Sequence, residues 1–264
     1  MLNNLVKFIF IISFSIFVGS CCFDNPIESY LELNPYLTEE ILDTITLTEG
    51  ISNDSLKLKN GEFWKYAMSI PNLTINSKVP LVIALPWDIE GVGEYVPYLQ
   101  CQAYPGLADL NAIIFVPDNG ITNSWDYENA TLTLTLIDHA LKYWPIDPDK
   151  IIVTGYSNGG YGAWYFGINY PQVFSAAIPI GSRMEYDGGT FIKNEKLKIP
   201  FYVIHSTSDE KFDINDMSNK LNKLIDLGSD IEFVSIDGLS HGSGCTYSIY
   251  LKESINWLEN QIWR

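Results

Sequence analysis

The chain has 264 residues, 47% hydrophobic and 14% aromatic with only 18% charged, which suits one sizeable domain with a large packed core. Its 32 acidic residues against 16 basic ones give a formal net charge of -16, and such a surface repels nucleic acid and anionic lipid headgroups. Neither is expected as a ligand. No C-x-x-C or Cys/His cluster is present to suggest a metal, and no repeat or low-complexity segment interrupts the pattern.

At the N-terminus Lys7 precedes an apolar run over residues 8–18, and the small pair Gly19-Ser20 leads into Cys21. The run is short of the about 20 residues a spanning helix needs and has the form of a signal peptide's apolar region. Val18-Gly19-Ser20-Cys21 resembles the lipobox of bacterial lipoproteins. That resemblance implies lipidation at Cys21 and an exported chain anchored to a bacterial membrane, facing the periplasm or the cell surface. A plain secretory signal and a retained anchor are the alternatives. On this reading residues 1–20 are the signal, 21–50 a tether and lead-in, and 51–264 the folded domain. Cys101 and Cys245 then remain within the fold, either as a disulfide or as two independent thiols.

In the lead-in, Thr38 is placed to cap a short helix reaching Asp43. Next, the run from Ser55, the Asn60-Gly61 turn signal and the return over 63–70 predict a hairpin. Strand-like runs follow at 80–85, 112–116, 151–154, 175–180, 201–205 and 231–236. Helix-like runs occupy 127–144, 157–170, 214–227 and 246–262. Short apolar strands alternating with amphipathic helices predict an α/β fold: a mostly parallel sheet covered on both faces, with the hairpin antiparallel at one edge.

Between the strand at 151–154 and the helix at 157–170 stands Gly155-Tyr156-Ser157-Asn158-Gly159. A serine in so tight a strand-to-helix turn is thrust outward, and the crowded backbone admits only small neighbours two positions away. The Asn158 N–H would then face the place where an oxyanion forms, at the positive end of the helix.

A nucleophilic Ser157 needs a base, and the chain has three histidines. His139 falls within a helix and reads as a surface or lining residue, and His205 as a satisfied hydrogen bonder at a strand end. His241 lies in a glycine-rich loop after the strand at 231–236 and is the candidate base. Asp209, just beyond the strand at 201–205, is the candidate acid, with Asp213 and Asp216 as competitors that could instead begin a helix. The order Ser157, Asp209, His241 is that of an α/β-hydrolase.

From about Phe63 onward the chain resembles the α/β-hydrolases of the esterase, phospholipase/carboxylesterase and "predicted peptidase" type. The resemblance is carried by Asp147-Pro148-Asp149-Lys150 through Gly181, by His205-Ser206-Thr207-Ser208-Asp209, where Ser206 replaces the family's glycine, and by Ser240-His241-Gly242. It implies a catalytic triad of Ser157, Asp209 and His241, and a reaction needing no cofactor. One departure stands out: where such enzymes carry His-Gly, this chain reads Leu85-Pro86-Trp87-Asp88. Proline has no N–H, so the second oxyanion donor must be Asp88, by position, or Trp87. Tyr156 and Trp125 are expected to line a substrate pocket, whereas Trp164 reads as core. The resemblance implies an esterase but no substrate; the exported location and the aromatic residues suggest small or polysaccharide-linked esters. A peptidase of the same fold and a catalytically impaired binding protein are the alternatives, and the sequence leaves the oligomeric state open.

Overall fold

The computed structural model describes residues 34–87, 95–118, 125, 127–186, 189–190 and 195–264. Cys21, the lipidation candidate, and Asp88, the candidate oxyanion donor, lie outside the described residues. Eight strands form the main sheet: β1 (Gly50–Lys57), β2 (Phe63–Ile70), β3 (Val79–Leu85), β4 (Ile113–Pro117), β5 (Ile146–Tyr156), β6 (Ala176–Ile180), β7 (Phe201–Ser206) and β8 (Ile231–Ile236). They lie side by side in the order β1-β2-β4-β3-β5-β6-β7-β8. β1 and β2 pair antiparallel from Gly50↔Ile70 to Lys57↔Phe63, β2 is antiparallel to β4, and the remaining pairings are parallel.

Burial on both faces explains the continuous apolar strands. Leu81, Ile83 and Leu85 of β3 enter one core cluster, while Val82 and Ala84 enter the other. Phe201 and Val203 of β7 divide in the same way from Tyr202 and Ile204. Successive side chains point to opposite faces, so a strand covered on both sides has no polar positions to alternate. Helices α1 (Tyr127–Tyr143), α2 (Asn158–Asn169) and α3 (Ile214–Asp226) fill the first cluster with residues such as Leu134, Phe166 and Leu221. The second is filled from α4 (Ser248–Trp257), through Leu251 and Trp257, and from a helical stretch that precedes β4, through Tyr98 and Leu107.

That stretch has no counterpart among the sequence expectations. It runs as Tyr95–Tyr98, a π-turn at Leu99–Ala103, Tyr104–Leu107 and a 3-10 turn at Ala108–Leu110, with Pro97 and Pro105 inside it. Changes of helical pitch and two prolines erase the 3.6-residue period that would have announced it. Two local expectations also need correction. Thr38 occupies the N-cap of Glu39–Leu42, but its hydroxyl makes no cap bond. His139 is 2% exposed, packed against Tyr143 and Trp144, and not a surface or lining residue.

Cys101 and Cys245 form a disulfide across a sequence separation of 144, joining the π-turn to the 3-10 turn at Gly244–Tyr247. At the sheet's outer margin β1 is exposed from Gly50 through Asp54.

Candidate active site

β5, β7 and β8 run parallel, so their C-terminal ends, which carry Ser157, Asp209 and His241 just beyond them, share one edge of the sheet. Ser157 sits at φ 56° and ψ -114°, a conformation costing a non-glycine residue about 1–3 kcal/mol. The surrounding bonds hold it there: its N–H donates to Ile180 O at 3.0 Å, and its carbonyl accepts the Tyr161 N–H at 3.0 Å.

Ser157 Oγ lies 2.9 Å from His241 Nε2. On the other side of the ring, Nδ1 lies 3.1 and 3.0 Å from the two Asp209 carboxylate oxygens. An ionised carboxylate can only accept, so Nδ1 carries the proton and Nε2 offers its lone pair to the serine hydroxyl. The Asp209 side chain is fully buried, and that of His241 is 13% exposed. Burial by itself would raise the Asp209 carboxyl. The His241 bond and the backbone N–H groups of Phe212 and Lys211 outweigh it and hold the group below the usual carboxylate range. Asp209 is thus an anion built to face an imidazole.

The competing acids are engaged elsewhere. Asp213 caps α3 by accepting the Asn215 N–H, and Asp216 pairs with Lys220. His205 is fully buried, and its Nε2 donates to Phe212 O at 2.9 Å, closing the turn that presents Asp209.

Ser206 gives the family departure a physical meaning. Its buried hydroxyl accepts the N–H groups of Ser208 (3.1 Å) and Leu239 (3.2 Å), tying the acid turn to the histidine loop. Thr207 adds a second tie to Asp237 at 2.8 Å. Glycine could make neither side-chain bond. Glu210 and Gln102 also act on that loop, accepting the His241 N–H and donating to Gly244 O respectively, each at 2.8 Å. Sequence reasoning passed over both; adjacency of Glu210 to Asp209 was the one available hint.

The expected pocket aromatics divide. Trp125 is 1% exposed, packs beside Phe166 and faces Gly162, and is therefore core, not pocket lining. Tyr156 is 4% exposed and lies behind the imidazole, stacked on it at 5.4 Å, with its hydroxyl donating to His241 O. It supports the histidine ring from behind. Trp87 meets both Tyr98 and Tyr156 edge-on, at 4.9 and 5.9 Å, which places it beside the elbow. Trp164 is fully buried against Phe201. A cleft of about 220 Å³ adjoins the acid turn, lined by Ser182, Arg183, His205, Lys211 and Phe212 among others. Among the described residues no group of three or more His, Cys, Asp or Glu side chains could hold a metal ion.

This sheet order, with its helices on both faces and its serine turn, is an α/β-hydrolase fold. Residues 118–258 match the phospholipase/carboxylesterase family, more than half of the chain, and the chain belongs to that family. A stretch of 94 residues is 26% identical to an Aquifex aeolicus protein provisionally named a carboxymethylenebutenolidase, covering 36% of this chain and 39% of that one. The chain therefore matches well under half the length of that relative. Among solved structures, a thermostable esterase is similar at TM-score 0.62 and 23% identity, over 83% of this chain and 64% of the other. A fluorophosphonate-binding serine hydrolase of Staphylococcus aureus gives TM-score 0.64 at 14% identity, over 81% of this chain and all (100%) of the other. Est1E from Butyrivibrio proteoclasticus gives 0.59 at 16%, over 82% and 100%. At such identities the likeness establishes the fold.

Proposed function

We propose that this chain is a serine carboxylic ester hydrolase working through an acyl-enzyme. The observation that carries the reading is the continuous line from Ser157 Oγ through the His241 ring to the buried Asp209 carboxylate. His241 takes the serine proton as Oγ attacks the ester carbonyl and returns it to the leaving alcohol; Asp209 holds the tautomer and balances the imidazolium. Water, activated by the same histidine, then releases the acid.

The developing oxyanion is held by the N–H of Asn158, the first residue of α2, and by that of Trp87 or Asp88. The close seating of Gly159 on the Leu85 and Pro86 carbonyls supports this, because it sets the start of α2 against the segment leading into Trp87. Export as a lipoprotein anchored at Cys21 is part of the proposal. It is supported by the apolar run at 8–18 and by the Cys101–Cys245 disulfide, a bond that persists in oxidising compartments. Esters arriving from outside the cell, including those on polysaccharides, are the substrate class that suits such a location.

Hydrolysis of p-nitrophenyl esters from acetate to octanoate, compared with Ser157→Ala, tests the chemistry. Turnover and fluorophosphonate labelling that both vanish in the variant are expected. A folded wild-type protein that does neither would sink the reading and leave a binding role on a hydrolase fold.

A further inference from the structure

We propose that Tyr156 and Glu210 are positioning residues that grip the backbone of His241, so that the neighbours of the nucleophile and of the acid fix the base. The proposal rests on the reading of Ser157, His241 and Asp209 as the reacting triad. His241 needs such help. It sits in a largely exposed loop with Gly238 at φ +80° and Gly242 beside it, and a base must be held closely against its nucleophile to be effective.

The structure holds that loop from two sides by a repeated device. On one side the dipeptide Tyr156-Ser157 bonds twice: Ser157 Oγ to the ring at 2.9 Å, and the Tyr156 hydroxyl, as donor, to the His241 carbonyl. On the other side Asp209-Glu210 does the same: Asp209 to Nδ1, and Glu210 Oε2 accepting the His241 N–H at 2.8 Å. Both polar groups of the His241 backbone are thus occupied by side chains adjacent in sequence to its two ring partners. The ring itself lies between Tyr156, stacked at 5.4 Å, and Phe212, edge-on at 5.0 Å.

Tyr156 is a firm support. Its ring would come within 2.6 Å of a Cβ on Gly181 and 3.1 Å of one on Gly244, so the space around it is filled. Burial, with Tyr247, Asp209 and Glu210 adding to it, keeps its phenol protonated and able to donate. Accepting the His241 N–H, together with its own, keeps Glu210 below the usual carboxyl range and hence an ionised acceptor. Charge-assisted bonds of this kind are the stronger sort.

The test uses Tyr156→Phe, Glu210→Ala and Glu210→Gln in the full chain, with kcat expressed per serine labelled by a fluorophosphonate. Tyr156→Phe and Glu210→Ala should each lower kcat by about tenfold with KM changed by less than about twofold. Glu210→Gln, whose amide oxygen still accepts an N–H, should recover most of what alanine loses. A second readout does not depend on turnover: the low-field proton resonance of His241 Nδ1–H, held against Asp209, should broaden in Tyr156→Phe and Glu210→Ala. Unchanged kcat and resonance in both variants, or equal losses in Glu210→Gln and Glu210→Ala, would overturn the proposal. If wild type neither turns over nor is labelled, yet the variants still broaden the resonance, the esterase reading fails and the grip on His241 stands.

Discussion

Gly159 lies so close to Leu85 that a Cβ on it would stand 1.9 Å from the Leu85 carbonyl oxygen and 2.8 Å from that of Pro86. Gly155 is equally confined, since its Cβ would meet the Gly159 carbonyl at 2.3 Å. The obstacles are backbone atoms, so no rotamer change relieves them. Gly159→Ala should therefore cost about 3 kcal/mol of stability and separate the start of α2 from the end of β3. The urea midpoint should fall, and kcat should fall further than the folded fraction does. A variant with wild-type kcat would mean that the elbow tolerates the displacement.

Trp125 gives a test of core against pocket. Its burial against Phe166 and Gly162 predicts that Trp125→Ala loses about 3–5 kcal/mol, as large aromatic deletions do. The ester chain-length preference of the folded fraction should not move. A changed preference at unchanged stability would return Trp125 to the pocket wall.

The Cys101–Cys245 disulfide closes a loop of 144 residues in sequence separation, which predicts a contribution of about 2–5 kcal/mol through restriction of the unfolded chain. Thermal unfolding with and without a thiol reductant measures it. The wild-type midpoint should drop on reduction, while the paired Cys101→Ser, Cys245→Ser variant should be insensitive to reductant and already low.

His139 makes stability depend on pH. Burial lowers its pKa below the ordinary value, and Asp43 and Glu39 only partly offset this. As pH falls, the unfolded chain takes up this proton before the folded one does, so protonation favours unfolding. The stability is fully present above about pH 6.5 and is lost as pH falls through the folded pKa. Urea midpoints between about pH 7.5 and about pH 5 should decline for wild type, and part of that decline should disappear in His139→Phe. An identical slope in both would assign the acid sensitivity elsewhere.

The strands of the central sheet were legible because two-sided burial leaves contiguous apolar runs, and β8 falls at the predicted bounds, Ile231–Ile236. The helix Ile214–Asp226 was legible from its amphipathic period. The segment 95–110 was not, since Pro97, Pro105 and the change to π pitch conceal it. At the site, residue types and chain order pointed to Ser157, Asp209 and His241, and the structure brings the serine and the carboxylate each within hydrogen-bond distance of the His241 ring. The side chains holding the histidine loop escaped notice because their partners are backbone groups or lie far off in sequence. Gln102 reaches Gly244 across 142 residues, and Ser206 reaches Leu239 across 33. Exposure failed in the same way for Trp125, whose surroundings, Phe166 and Gly162, come from another element.

Among the described residues β1 is the last strand at one margin of the sheet, and an edge strand offers its outer row of backbone donors and acceptors to a foreign strand. The strip Ser52-Asn53-Asp54-Ser55 there is polar, unlike the apolar strands at the centre. A second copy arriving edge to edge would have to strip water from these groups and bring Asp54 against a body of formal charge -16. Four polar residues thus make this rim a poor template for edge-to-edge growth in a molecule almost half hydrophobic in composition.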